Sequence, residues 1–394
     1  MTETILVINV GSSSVKAAIV SSAKESRRIW SGRAEGIGQG DALLALSSAG
    51  EKTSIQRSLD IPDHEAAVAR VLDAALTVPA ARTLAGVGHR IVHGGPDFTQ
   101  PTIIDEFVAG QLQRLVPLAP LHLPQSIAGF TVARERLPDL PHVACFDTMF
   151  HAILPRLAQL IALPPRLTTG GVKRYGFHGL SYESVLSALS RRGADVSQER
   201  IIIAHLGAGA SMCAVLNGKS VDTTMGFSTL SGLPMGSRCG DIDPGVLTYL
   251  LNERKVDPST LQHLLYEESG LFALSRGTAD MRQLLARRDD PQADEAVRFF
   301  CSQARRQFAA LTAALGGVDR LVFTGGVGAN APSIREEICE GMSYLGVQLD
   351  ARRNQAGEIT ISPDASTVTV QAFDTDEEQS IALHVQRVLG LVRS

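Results

Sequence analysis

The chain has 394 residues, more than one hydrophobic core usually organises, so about two domains are expected. Hydrophobic residues make up 44% and charged residues 20%, which excludes a disordered or low-complexity chain. With 37 Lys and Arg against 41 Asp and Glu the net charge is −4, which argues against nucleic acid or a membrane surface as partner and for small molecules.

In chain order, the N-terminus MTETILVINVGSSSVK lacks a basic stretch ahead of an apolar one. No run approaches the ~20 apolar residues of a membrane span, so a cytoplasmic protein is expected. Residues 5–9 predict a strand, Gly11 and the serines after it a tight turn, and 15–20 a second strand. The same grammar returns at 201–205, the turn Gly207-Ala208-Gly209, and 212–216, with Asn217-Gly218 as a hairpin signal before 220–223. Two hairpins of one design about half a chain apart predict a duplicated domain. Further strands are expected at 86–92, 142–146, 320–323 and 368–372. Helical periodicity runs over 64–76, 107–116, 181–192, 259–267, 279–288, 293–315 and 376–392, and Pro332 places a helix start behind a third glycine corner. Mixed strands and helices predict α/β layers. Cys145, Cys213, Cys239, Cys301 and Cys339 show no CxxC spacing and read as reduced, mostly buried thiols.

Three turns share one composition: Asn9 to Lys16 with Ser12 inside it, Gly207 to Ser211, and Gly325 to Asn330. Glycines let main-chain N–H groups converge, serines add hydroxyls and a lysine adds charge, a combination that holds phosphates. None fits the P-loop or dinucleotide-binding spacing, so a different phosphate architecture is needed. A second, ionic set comprises Arg90 and His93 in HRIVHGG, Asp147 after HVACF, His178 in RYGFHG, and Arg238, Asp241 and Asp243 in GSRCGDIDPG. Arginine forks suit carboxylate and phosphate oxygens, and a strand-end aspartate can orient a metal ion or a nucleophile. Taken singly, each of these residues also reads as a tight turn, a core histidine or a salt bridge.

Together, NVGSSSVK, HRIVHGG, PLAPLH (117–122), CFDTMFH (145–151), RYGFHG (174–179), HLGAGAS (205–211), GSRCGDIDPG and DTDEE (374–378) resemble, in that order, the acetate kinase family over nearly the whole chain. The resemblance implies an α/β, duplicated two-domain actin-like ATPase (ribonuclease H-like) fold with a nucleotide cleft between domains. It assigns one domain to 1–147 plus a C-terminal helix at about 375–394, and a nucleotide-binding domain to 148–374. It implies reversible phosphoryl transfer between ATP and acetate, giving acetyl phosphate and ADP, with magnesium or manganese as metal and a homodimer as assembly.

By position, Asn9 and Glu377 resemble the metal-associated pair, with Glu378 the alternative one residue on, and Lys16 a nucleotide-contacting lysine. Arg90 resembles the substrate carboxyl ligand, Asp147 a proton donor or acceptor, and His178 and Arg238 the pair that stabilises the transition state. Val92, Leu121 and Phe177 would line the acyl pocket. His205, Leu206, Gly207, Ala208 and Gly209, then Asp280, Met281 and Arg282, then Gly325, Gly326, Val327, Gly328 and Ala329 match three nucleotide segments. A carboxylate substrate is already ionised near neutral pH, so Asp147 is expected to orient Arg90 or the metal rather than to serve as a strong base.

The chain departs from the family pattern at Ala208 (HLGNG becomes HLGAG), Ala329 (GGIGEN becomes GGVGAN), Thr229 (a proline in TPLEGL) and Leu123 within LHLP. Each lost loop side chain removes a hydrogen bond of about 0.5–1.5 kcal/mol. A pocket of this kind separates acids differing by one methylene by only ~1–3 kcal/mol, so propionate and butyrate are the rival substrates. A switch of the same fold that binds nucleotide without chemistry is the rival from another class; the Arg90, Arg238 and His178 set argues against it, since a switch needs no carboxylate clamp.

Overall fold

The computed structural model describes residues 2–11, 14–22, 27–38, 40–50 and 55–391, without the side chain of Gln56. Ser12, expected in the first phosphate loop, lies outside the described residues. The chain forms two compact units, one of residues 1–150, 179–184 and 376–394, the other of 151–178 and 185–375.

The first unit is built on an eight-stranded sheet with β1 (Thr4–Val10), β2 (Ser14–Ser21), β3 (Arg28–Glu35), β4 (Ala42–Ser48), β5 (Ile55–Leu59), β6 (Leu84–Ile91), β7 (Thr102–Ile103) and β8 (His142–Phe146), in the order β5-β4-β3-β2-β1-β6-β8-β7. β1 pairs antiparallel with β2 and parallel with β6, and β6 pairs parallel with β8. Every residue of β1 is buried, as expected of a strand covered on both faces. Ile5 and Val7 enter one core with helices α2 (Glu106–Arg114), α3 (Leu123–Arg136) and α15 (Glu377–Val388); Leu6 and Ile8 enter the other with α1 (His64–Leu76). Helix α15 lies tight on β6 because Gly86 and Gly88 have no side chains: a Cβ there would fall 2.6 Å from Leu389 Cδ1 and 2.5 Å from Ile381 Cγ2.

The second unit contains α4 (Arg156–Gln159), α5 (Pro165–Thr168) and the greater part of α6 (Gly179–Arg191). Its sheet is β9 (Arg200–Leu206), β10 (Ala210–Leu216), β11 (Lys219–Thr223), β12 (Arg320–Thr324) and β13 (Thr369–Ala372), in the order β11-β10-β9-β12-β13. Around it are α7 (Pro244–Asn252), α8 (Pro258–Glu267), α9 (Gly270–Leu274), α10 (Met281–Leu285), α11 (Pro291–Leu315), α12 (Gly325–Asn330), α13 (Pro332–Cys339) and α14 (Ala351–Ala356). β9 pairs antiparallel with β10 and parallel with β12, which pairs parallel with β13. The order β11-β10-β9-β12-β13 therefore repeats β3-β2-β1-β6-β8 of the first unit, and the duplication expected from the two hairpins is present in the topology.

Several elements differ from expectation. The corner Gly325–Asn330 is not a turn but the short helix α12, entered through Gly325 at φ +78°. Strands β3, β4 and β5 and helix α3 carry no clean period in the sequence: β3 interposes Gly32 and charged residues, and α3 opens on Pro124 inside PLAPLHLP. The helix expected over 279–288 shortens to α10, capped by Asp280. All five cysteines are free thiols, with Cys239 the half-buried one. No helix among the described residues is long and apolar enough to cross a membrane.

Candidate active site

In the first unit the parallel pairings set three strand ends side by side. Ile8 pairs with His89 and Arg90 with Cys145, so Asn9, Arg90 and, two residues past Cys145, Asp147 meet at the carboxyl edge of the sheet, where open α/β sheets bind ligands. Arg90 Nε and Nη2 donate to the two carboxylate oxygens of Asp147 at 2.9 and 2.6 Å, and Arg90 Nη1 donates to Asn9 Oδ1 at 3.1 Å. Asn9 Nδ2 donates to Glu377 Oε2 at 3.1 Å, which also lies 3.9 Å from Arg90 Nε. Glu377 is delivered by the first turn of α15, whose N-cap Asp376 accepts from Gln379 N–H and pairs with Arg28 at 2.6 Å, while Asp376 N–H donates to Ser184 Oγ. Glu378 faces Arg28 instead, at 3.3 Å, so Glu377 is the carboxylate that joins the Arg90 cluster.

Burial pulls the Arg90 guanidinium down, but Asp147, Glu377 and Glu378 outweigh it, and its proton is held more tightly than on an ordinary arginine. Desolvation is likewise the largest influence on Asp147 and pushes its carboxyl up, against the pull of Arg90. The two-pronged bond fixes the arginine fork in one orientation and gives Asp147 no free oxygen pair to aim elsewhere. Glu378 is raised by burial and by Glu377, with Lys16 opposing. Asn9 and Glu377 supply an amide and a carboxylate side by side. That suits magnesium, a hard cation usually held by one or two carboxylates, with waters and phosphate oxygens completing its shell. Among the described residues no three His, Cys, Asp or Glu side chains converge as a ready-made metal cage.

The second unit holds His178, Arg238 and the glycine-rich segments. His178, in the left-handed conformation at φ 60°, stacks its ring on His205 with centroids 4.4 Å apart, and its Nδ1 bonds Ser211 Oγ at 2.7 Å. A Cβ on Gly209 would stand 3.2 Å from His178 Nε2 and 3.9 Å from Arg238 Nη1, so this glycine sits beside both side chains. Arg238 Nη1 donates to the carbonyl of Thr229 at 3.4 Å and approaches Met235 Sδ at 3.7 Å. The first contact is to main chain, which a proline at 229 would also offer, so this departure from the family pattern leaves the anchor in place.

The three segments expected to bind nucleotide adjoin one another. A Cβ on Gly325 would fall 2.7 Å from the carbonyl of Leu206, and one on Gly207 3.9 Å from Gly326 N. One on Gly236 would meet the carbonyls of Ala279 at 3.2 Å and Ala208 at 3.8 Å. Within the loop, Gly207 N–H donates to Gly209 O at 3.0 Å. This donor is therefore used inside the turn, and the remaining main-chain N–H groups of HLGAGAS are the ones expected to meet phosphate. Asp280 caps α10 through Arg282 N–H at 2.8 Å and pairs with the Arg282 guanidinium at 2.7 Å, with Met281 buried between them. Val327 lies within α12, and the carbonyls of Gly328 and Ala329 accept from Arg335 Nη1 at 2.9 and 2.8 Å. The Thr324 hydroxyl, buried at the entry to α12, has no hydrogen-bond partner among the described residues.

Of the acyl-pocket candidates, Val92 is buried and Leu121 half-buried in the first unit, and Phe177 is buried in the second, its carbonyl bonded to His151 Nε2 at 3.0 Å. Lys16, paired in register with Asn9 on the neighbouring strand, is exposed. His93 and Asp243 have structural tasks: His93 Nδ1 accepts from Gly95 N–H at 2.8 Å, and Asp243 caps α7. Arg335 carries no signal in the sequence, where a lone arginine ordinarily reads as a solvated charge, yet it is buried against α12. Ser211 was in plain view in the second glycine turn, but its partner lies 33 residues away.

The family model of the acetokinase family matches residues 4–383. The acetate kinase of Methylocella silvestris is 42% identical over 399 residues, covering 99% of this chain and 98% of its own length. Among solved structures, Porphyromonas gingivalis acetate kinase superposes with a TM-score of 0.87 at 34% identity, covering 98% of this chain and all of that one. A propionate kinase from Francisella tularensis gives 0.89 at 32% identity, covering 97% and 98%. With Arg90 held by buried Asp147, the histidine–arginine pair beside Gly209 and a match over nearly its whole length, the chain belongs to the acetokinase family.

Proposed function

We propose that this chain is an acetate kinase: a carboxylate oxygen of acetate attacks the γ-phosphorus of ATP, the bond from that phosphorus to the β–γ bridging oxygen breaks, and acetyl phosphate and ADP result. The observation that carries the reading is Arg90, a half-buried guanidinium held two-pronged by buried Asp147 at the carboxyl edge of a parallel sheet. Such a fork recognises a carboxylate on the acid side and an acyl phosphate on the other. Phosphoryl transfer spreads negative charge over equatorial oxygens and is catalysed by positioning and cationic stabilisation. His178 and Arg238 would supply that charge, and the Gly207–Gly209 and Gly325–Ala329 segments would carry the nucleotide. Magnesium, when bound, would neutralise phosphate charge and would be held by Glu377 and Asn9. Asp147 would orient Arg90.

The finer organisation belongs to the same reading. We assign the acid-binding domain to 1–147 with the C-terminal helix at about 375–394, and the nucleotide-binding domain to 148–374. Exposed Ile153, Leu157, Leu163 and Leu167 support association of two copies, and five free cysteines support a reducing, cytoplasmic compartment. Propionate is the second substrate reading, favoured by the likeness to the Francisella propionate kinase. Steady-state kinetics over acetate, propionate and butyrate, with ATP and pyrophosphate as donors, tests both. Acetate with ATP should give the highest kcat/KM; a tenfold preference for propionate would replace the substrate assignment, and no turnover of any acid would remove the enzyme reading.

A further inference from the structure

The loop 232–241 carries Arg238 and ends on Asp241, an exposed acidic residue to which the phosphoryl chemistry gives no task. Its Oδ1 accepts from Gly232 N–H at 2.7 Å, and its own N–H donates to the Gly232 carbonyl at 2.9 Å. Its Oδ2 accepts from Gln307 Nε2 of α11 at 2.8 Å. Two reciprocal bonds thus close the base of the loop, and a third ties that base to the longest helix of the unit.

The rest of the loop rests on a mould of main-chain groups. A helix leaves its first N–H groups unsatisfied, and here those around the start of α9 are spent on the loop. Ser269, Leu271 and Phe272 N–H donate to the carbonyls of Ser237, Met235 and Gly236 at 2.9, 2.9 and 2.8 Å. Cys239 N–H donates to Leu265 O at 3.1 Å, and Met235 N–H to the Arg238 carbonyl at 3.0 Å. The seam is Gly270, at φ +61°, where a Cβ would stand 2.2 Å from Met235 O and 2.5 Å from Arg238 O. The mould fixes the height of the loop; the Asp241 clamp fixes its base, and with it the direction in which Arg238 leaves the backbone.

We propose that Asp241 is a positioning residue for Arg238, closing the 232–241 loop so that the guanidinium is held where phosphoryl charge develops; this rests on the phosphotransferase reading. Displacement of a catalytic group by about 1 Å can cost 10²-fold. Asp241→Ala should lower kcat by about 10- to 100-fold and leave the KM for ATP within about twofold. Asp241→Asn should restore most of kcat, since its oxygen still accepts from Gly232 N–H and Gln307 can turn its amide to accept from the new N–H. In an Arg238→Ala background Asp241→Ala should cost nothing further, because it acts through the missing side chain. Gln307→Leu, which removes only the Oδ2 bond, gives the same test by a milder route, with a loss of about threefold in kcat. Wild-type kcat in Asp241→Ala, or a full multiplicative loss in the Arg238→Ala background, overturns the proposal. Wild-type kcat in Arg238→Ala alone overturns the role of Arg238 and, separately identified, the reading beneath it.

Discussion

Replacing Asp147 by asparagine tests whether this carboxylate orients Arg90 or carries a proton. The side chain is nearly the same size, so the buried site keeps its packing, but one of the two bonds to the guanidinium, at 2.9 or 2.6 Å, is lost with the charge. Hydrogen bonds to charged groups are worth about 1.5–3 kcal/mol, and Glu377, 3.9 Å from Arg90 Nε, becomes the stronger competitor for the fork. A loss of about 2–3 kcal/mol in the bound orientation of Arg90 corresponds to roughly 30- to 150-fold in kcat/KM for acetate. The assay is kcat/KM for acetate at saturating ATP from pH 6 to 9. The whole profile should move down with its shape preserved, because a positioning group does not titrate in the reaction, and the KM for ATP should stay within about twofold. Near-normal activity, or the disappearance of one limb of the profile, would refute the orienting role.

Three further outcomes follow from the geometry. Gly325→Ala places a methyl carbon 2.7 Å from Leu206 O at a left-handed φ, a strain of order 1–3 kcal/mol; it should weaken ADP binding measured by calorimetry and spare acetate, and unchanged ADP affinity would contradict the nucleotide role of these segments. Ala208→Asn adds at most one hydrogen bond of about 0.5–1.5 kcal/mol, so kcat should stay within a few fold and the KM for ATP fall by at most about tenfold; a large loss of activity would show that the loop is built around the smaller residue. Burial lowers His151 from 6.5 to about 4, and burial likewise lowers His89 and His142. Folded protein keeps them neutral while unfolded chain takes up protons, so stability is full above pH 6.5 and is lost as pH falls from there towards 4, by about 3 kcal/mol for His151. Urea melts from pH 7.5 to 5 should show this slope reduced in His151→Gln; an identical slope would remove His151 from the account.

How much could be read beforehand varied with the physics of each element. The hairpins β1–β2 and β9–β10 were legible because apolar runs met glycine and serine at turns, and the repeat of their design announced the duplication. β3 to β5 were not, since Arg28, Gly32 and Arg33 interrupt β3, Arg57 interrupts β5, and β4 is an apolar run without alternation that ends in serines. Gly325–Asn330 read as a turn because glycine disfavours helix; it is helical because Gly325 enters beside Leu206 and Arg335 caps the far end. Candidate site residues stand out singly in the sequence, but their partnerships do not. Arg90 and Asp147 are 57 residues apart and meet only through the parallel register of β6 and β8. Asn9 and Glu377 are 368 apart and meet because glycines on β6 admit α15. Asp241 was visible as one acid among several; its clamp on Gly232 was not.

The central claim is that this chain moves a phosphoryl group between nucleotide and carboxylate. Phosphorus NMR of the purified protein mixed with acetyl phosphate, ADP and magnesium tests it without coupling enzymes. The acetyl phosphate signal should fall while the three resonances of ATP rise in equal amount, and Arg90→Ala should slow the exchange at least 30-fold, in line with the loss of a charged anchor. Undiminished acetyl phosphate beside protein that still binds ADP would contradict it.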